Sequence, residues 1–148
     1  MKTKFTNNQA VSVFAAQTQA YGSNSGGSFH WQGNTAFSYH GGYALARFVG
    51  DVVLIAERNS SATTNKLNSA LRVELSRRNI EYVEVVDVLG NSAESYGRNV
   101  NRLAERIEDS RAKASRARTY ADSHISDAET FQRMINTLQA VTYPQLAA

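Results

Sequence analysis

The chain has 148 residues, 42% of them hydrophobic, with no cysteine, one proline and a formal net charge of +3. That length supports one hydrophobic core rather than two full domains. The missing thiols exclude disulfides and thiolate chemistry and suit a reducing cytosol. Charge is spread unevenly: residues 1–50 contain Lys2, Lys4 and Arg47 but neither Asp nor Glu, and seven basic residues fall between Arg98 and Arg118.

The opening MKTK has the basic start of a signal peptide. Asn, Gln, Ser and Thr then interrupt the run before an apolar segment forms. No stretch approaches the roughly 20 apolar residues of a membrane helix, so a soluble, intracellular protein without membrane contact is expected. Val11, Phe14 and Ala15 recur at helical spacing behind the capping candidates Asn7 and Asn8, which predicts a short amphipathic helix over 8–20. YGSNSGGS, residues 21–28, reads as a mobile Gly/Ser-rich loop.

Four short aromatic and β-branched runs follow: SFHWQ, TAFSY, YALARFV and VVLIAE. They are divided by Gly33-Asn34, His40-Gly41-Gly42 and Gly50-Asp51. Gly and Asn tolerate the positive φ of tight hairpin turns, so the runs predict a four-stranded antiparallel meander. Residues 59–66 read as a polar loop rich in capping hydroxyls. Leu67, Leu71 and Leu75 then mark a helix of about four turns, which closes at Arg77 and Arg78, where basic side chains suit the negative end of the dipole. IEYVEVVDV alternates Ile80, Tyr82 and Val85 or Val86 with acids, the pattern of a half-exposed fifth strand.

From Asn91 to about Val141 the only glycine is Gly97, and no proline occurs before Pro144. A seam of Ala93, Tyr96, Val100, Leu103, Ile107, Ala114, Ala117, Ala121, Ala128, Phe131, Ile135 and Leu138 sustains a heptad pattern, with gaps of three and four and two of seven. Two readings stand: one helix of roughly 75 Å at about 1.5 Å per residue, or a bend or hairpin at residues 123–129, where Ser126 and Glu129 form a capping-box pair.

The strongest chemical feature is SRAKASRARTYA, in which Arg111, Lys113, Arg116 and Arg118 lie between Asp109 and Asp122 with no acid among them. On the seam from Ala93, Arg111 and Arg118 fall on one flank, Arg106 and Lys113 on the other. A parallel zipper would set these like charges together, whereas a nucleic-acid backbone or an acidic partner surface would accept them. The close alanines also allow a tightly packed helix pair shielded by long basic side chains.

No phosphate-binding loop, dinucleotide fingerprint or nucleophile elbow is present, and His30, His40 and His124 are too scattered for a metal motif. An enzyme is therefore not expected, and neither a cofactor nor a metal is implied. Tyr39, His40 and Tyr43 in the second hairpin offer flat, amphipathic contact area. Trp31 reads as core and His124 as a residue on or beside the seam.

The order of several motifs resembles a small, uncharacterised domain family of tailed bacteriophages: Phe14 and Gln17, Ser38-Tyr39, Tyr43, Leu45-Ala46-Arg47, Ser60 and Thr63-Thr64-Asn65-Lys66. The match spans roughly residues 11–75, with His40 where that family has Gly, Ala44 where it has Pro, and Leu67 where it has His. The resemblance implies a phage accessory protein acting in the host cytoplasm, where such proteins bind host complexes, including those of host defence.

The combined expectation is an α+β protein: a small α+β domain over 1–90 and a helical arm over 91–148, either coiled coil or helical hairpin. Its expected role is to bind nucleic acid or a host nucleoprotein complex through Arg106, Arg111, Lys113, Arg116 and Arg118, with Tyr39, His40, Arg47 and Lys66 as a second patch. The alternative is a protein-interaction module that sequesters a host or phage protein and self-associates through residues 93–138.

Overall fold

The computed structural model describes residues 2–38, 43–58, 61–116 and 121–147, with side chains to Val141 in the last segment. Tyr39, His40 and Arg118 lie outside these residues. The fold is α+β, with seven strands hydrogen-bonded in chain order and four helices. The chain divides into two compact units, Met1–Tyr82 and Val83–Ala148.

In the first unit, β1 (Lys4–Phe5) runs parallel to β2 (Tyr21–Asn24). Strands β3 (Phe29–Gln32), β4 (Thr35–Ser38), β5 (Tyr43–Val49) and β6 (Val52–Ala56) continue antiparallel, forming the expected meander. Helix α1 is Asn7–Ala16, shorter than 8–20. Its cap is Thr6 rather than Asn7 or Asn8: the Thr6 hydroxyl accepts from Gln9 N at 3.3 Å while Gln9 Oε1 accepts from Thr6 N at 3.2 Å. Gln17, at φ 52°, turns the chain out of the helix.

The loop expected at 21–28 is a strand in its first half. Gly22 stands opposite Trp31, and a Cβ on it would fall 2.6 Å from Trp31 Cζ2 and closer still to Cη2, so the indole occupies the space that a side chain would need. The rest is tied down by buried Asn24, whose Nδ2 donates to Asn7 Oδ1 at 2.7 Å and Ser28 Oγ at 2.8 Å. Its Oδ1 accepts from Phe29 N at 3.1 Å.

Phe5, Phe14, Phe29, Trp31 and Phe48 form the aromatic centre of the core, and Phe14 meets Phe48 at 5.5 Å between ring centroids. Trp31 is 2% exposed and its Nε1 donates to Gln19 O, a core residue as its surroundings required. Helix α2 (Ala62–Arg77) adds Leu67, Leu71 and Leu75. Ser61 caps it at Thr64 N, so Thr63, Thr64 and Lys66 belong to its first turns and not to a preceding loop.

Strand β7 (Tyr82–Val85) is not half-exposed: Val83, Glu84 and Val85 are all buried. Alternation with an acid mimics a solvated face, but here the acid is buried with a cation. In the second unit Asn99 Oδ1 accepts from Val86 N at 3.0 Å and Asp87 N at 2.9 Å, and its Nδ2 donates to Asp87 O. Asp87 in turn accepts from Gly90 N and pairs with Arg98 at 2.7 Å.

The C-terminal segment is two helices, α3 (Ala93–Arg116) and α4 (Ala121–Ala147), packed on one another. Arg106 stands over Phe131 while Arg111, later in α3, borders Ile125 and Ala128, earlier in α4, the order of an antiparallel pair. α4 already begins at Ala121, so Ser126 and Glu129 lie inside it and do not cap its start. The buried stripe of α3 is Ser95, Asn99, Leu103, Ile107 and Ser110, while Ala93 is exposed. The expected seam is displaced at its start because Asn99 turns inward to hold the 86–87 backbone. On α4, Ala128, Ile135 and Leu138 are buried as the spacing required.

Candidate functional site

Three clusters carry polar side chains in ordered surroundings. The first is a buried column along α2. Positions 61, 64, 68 and 72 share one helix face by their spacing of three and four. Ser38 Oγ, at the end of β4, lies 2.7 Å from Thr64 Oγ1, and Ser61 Oγ donates to Thr64 Oγ1 at 3.2 Å. Residues of two motifs that are 26 positions apart thus meet as one hydroxyl cluster.

Below it, Asn68 Nδ2 donates to Ala56 O at 2.8 Å and Asn68 Oδ1 accepts from Arg72 Nε at 2.7 Å. Arg72 Nη2 donates to the same Ala56 carbonyl at 3.0 Å, and the guanidinium lies 5.7 Å from the Tyr82 ring centroid. Burial pulls the Arg72 pKa down to about 10, and the positive Arg58 acts in the same direction, against Tyr82 and Glu57. These groups satisfy the backbone end of β6 and fix it to α2. Asn68 and Arg72 were not singled out from sequence, and the signal available was their i, i+4 spacing on the face that carries Thr64.

The second cluster concerns the hairpin patch. Arg47 is half-buried on β5 between Thr35 of β4 and Leu54 of β6. Tyr43 is exposed at the start of β5, and Lys66 is exposed on α2. No described interaction joins Arg47 to Lys66, and Tyr39 and His40 fall outside the described residues.

The third cluster is the basic stretch of α3. Arg106 does not belong to a solvated patch: it pairs with Glu84, whose side chain is 8% exposed, and its guanidinium stands 4.3 Å from the Phe131 ring centroid. Arg111, Lys113 and Arg116 are exposed in the last two turns of α3. Lys113 reaches Asp109 at 3.0 Å, and that hydrogen bond and charge hold the Asp109 carboxyl below the usual range. Arg111 also borders a pocket of about 330 Å³ with Ile125, Ala128, Glu129 and Gln132. Arg118 lies outside the described residues.

Among the described residues no group of three or more His, Cys, Asp or Glu side chains is placed to hold a metal ion, and no helix is long and apolar enough to cross a membrane. The chain matches no described protein family, no curated protein and no solved structure.

Proposed function

We propose that the protein is a non-enzymatic nucleic-acid-binding protein that holds phosphates with Arg111, Lys113 and Arg116. The observation that carries this reading is the exposure of all three cations in the final turns of α3, after Arg106 has been withdrawn into a buried pair. Asp109 offsets one of them, and the two arginines keep the strongest claim on phosphate oxygens. The resemblance to the phage family extends the reading to a host nucleoprotein complex as target, with countering host defence as the purpose.

The test is fluorescence anisotropy of labelled DNA and RNA at low and physiological salt. Changing Arg111 and Arg116 to Glu is expected to weaken binding to all sequences alike and to reduce the salt slope by about 2, one for each lost phosphate contact. Unchanged affinity and slope in that variant would rule out the assignment.

A second reading, a protein partner, is favoured by Ile125, which is 46% exposed on the rim of the Arg111 pocket. Ile125→Glu would then abolish an association seen by light scattering while leaving nucleic-acid binding intact.

A further inference from the structure

One face of the sheet carries the aromatic core, and the other has a different character. Side chains alternate between faces along each strand, so the residues paired across strands mark out that second face. Lys4 of β1 is paired with Ser23 of β2, Ser23 with His30 of β3, and His30 with Phe37 of β4. Beside this row runs another: Tyr21 with Gln32, Gln32 with Thr35, and Thr35 with Arg47.

The core residues Phe5, Gly22, Phe29, Trp31 and Ala36 alternate with these and point the other way. His30 and Phe37 are stacked, their ring centroids 5.4 Å apart and their planes 18° from parallel, and both remain half-exposed. Tyr21 is 52% exposed. Lys4 and Gln32 are exposed as well.

We infer that this face is a binding platform for single-stranded nucleic acid, with Tyr21, His30 and Phe37 stacking on unpaired bases and Lys4 and Arg47 meeting the phosphates at either side. Two features select that ligand. Flat rings laid along a sheet offer stacking to any base whose faces are free, and a duplex hides those faces. The whole of residues 1–50 contains no Asp or Glu, so the strands β1 to β5 present a cation at each flank and no carboxylate to repel a phosphate chain. The flanking cations sit four strand spacings apart, about 19 Å at roughly 4.8 Å each, room for a short run of nucleotides across the strands. Aromatic pairs across strands also stabilise sheets, but that role would not require an exposed Tyr21 or strands β1 to β5 without a single acid.

The inference shares its ligand class with the proposed function and rests on that reading, but its residues are different, so one titration separates the two. Labelled DNA and RNA strands of about ten nucleotides, and a duplex of the same sequence, are titrated with the full chain and followed by anisotropy. The single strands are expected to bind more tightly than the duplex. Tyr21→Ala and His30→Ala should each weaken single-strand binding about 5- to 150-fold, and Tyr21→Phe should retain it.

Tyr21 is exposed, so its removal leaves the core intact, and circular dichroism verifies the fold of each variant. Equal affinity for strand and duplex, or unchanged binding by folded Tyr21→Ala and His30→Ala, would overturn the inference even where the Arg111 and Arg116 variant loses binding. Loss in the ring variants with none in the arginine variant would support it and remove the role given to α3.

Discussion

Arg106 closes on Glu84 while its guanidinium stands 4.3 Å from the centre of the Phe131 ring, so one cation satisfies a buried carboxylate and meets a ring at the same time. Removing either member leaves a charge where water reaches poorly. Arg106→Ala and Glu84→Ala are each expected to cost about 3 kcal/mol, the low end for a buried pair because the Arg106 side chain is 29% exposed. Arg106→Lys keeps the charge but loses the guanidinium at the ring and should cost less than either alanine. Urea unfolding measures the loss. The nucleic-acid salt slope of folded Arg106→Gln, which loses the charge, should equal that of the unaltered protein, and a reduced slope would return Arg106 to the phosphate-binding set.

Asn68 and Arg72 predict a non-additive pair. Asn68→Leu takes the acceptor from Arg72 Nε and a donor from the Ala56 carbonyl in a buried setting, an expected loss of about 2–3 kcal/mol. Arg72→Met takes the donor from the Asn68 oxygen and one of two donors from the Ala56 carbonyl, but it also removes a cation whose charge burial already opposes, so it should cost less. The double variant should be more stable than the sum of the single losses by at least about 1 kcal/mol. Additive unfolding energies would show that the two side chains act separately.

The meander was legible because its turns carry Gly and Asn between β-branched runs, and α2 because three leucines recur every four residues. What stayed hidden was written in pairs distant along the chain. Nothing local marks Tyr21–Asn24 as a strand: its stability comes from Trp31 filling the place of a Gly22 side chain and from Asn24 bonding across the following turn. Glu84 read as a solvated acid because alternation cannot distinguish water from an arginine 22 positions later. The basic stretch of α3 is plain in the sequence, yet composition cannot show that Arg106 is engaged while Arg111 and Arg116 are exposed. Nothing in the sequence joins His30 to Phe37, since only the β3–β4 register brings the two rings together.

Glu74 gives acid stability a defined direction. Hydrogen bonds from Arg77 first, then from Arg78 and Ser12, hold its carboxyl below the ordinary value of 4.5, against the opposing effect of burial. The folded state therefore binds this proton less readily than the unfolded chain, and the stabilisation is present above the ordinary value and lost as pH falls through the folded one. Glu74→Gln should be less stable by about 1 kcal/mol at pH 7, the scale of a partly exposed ion pair that also joins α2 to Ser12 of α1. The two proteins should converge as pH drops below about 4.5. A constant difference from pH 7 to pH 3 would assign the loss to packing and not to charge.

Gly22 supplies the most direct test of how β2 is held. Alanine is a better strand residue than glycine at an unconstrained position, so propensity alone predicts a gain for Gly22→Ala. The Trp31 ring makes the opposite prediction: the added methyl would overlap Cη2 and Cζ2, and the indole is 2% exposed, packed against Phe5, Phe14 and Phe29, so it has nowhere to retreat. Overpacking of this kind costs about 1–3 kcal/mol. Trp31 is the only tryptophan, so its emission reports both the shift of the ring and the unfolding midpoint. A lower midpoint with altered emission in the folded baseline is the expected result; a higher midpoint with the native spectrum would mean that β2 does not depend on this contact.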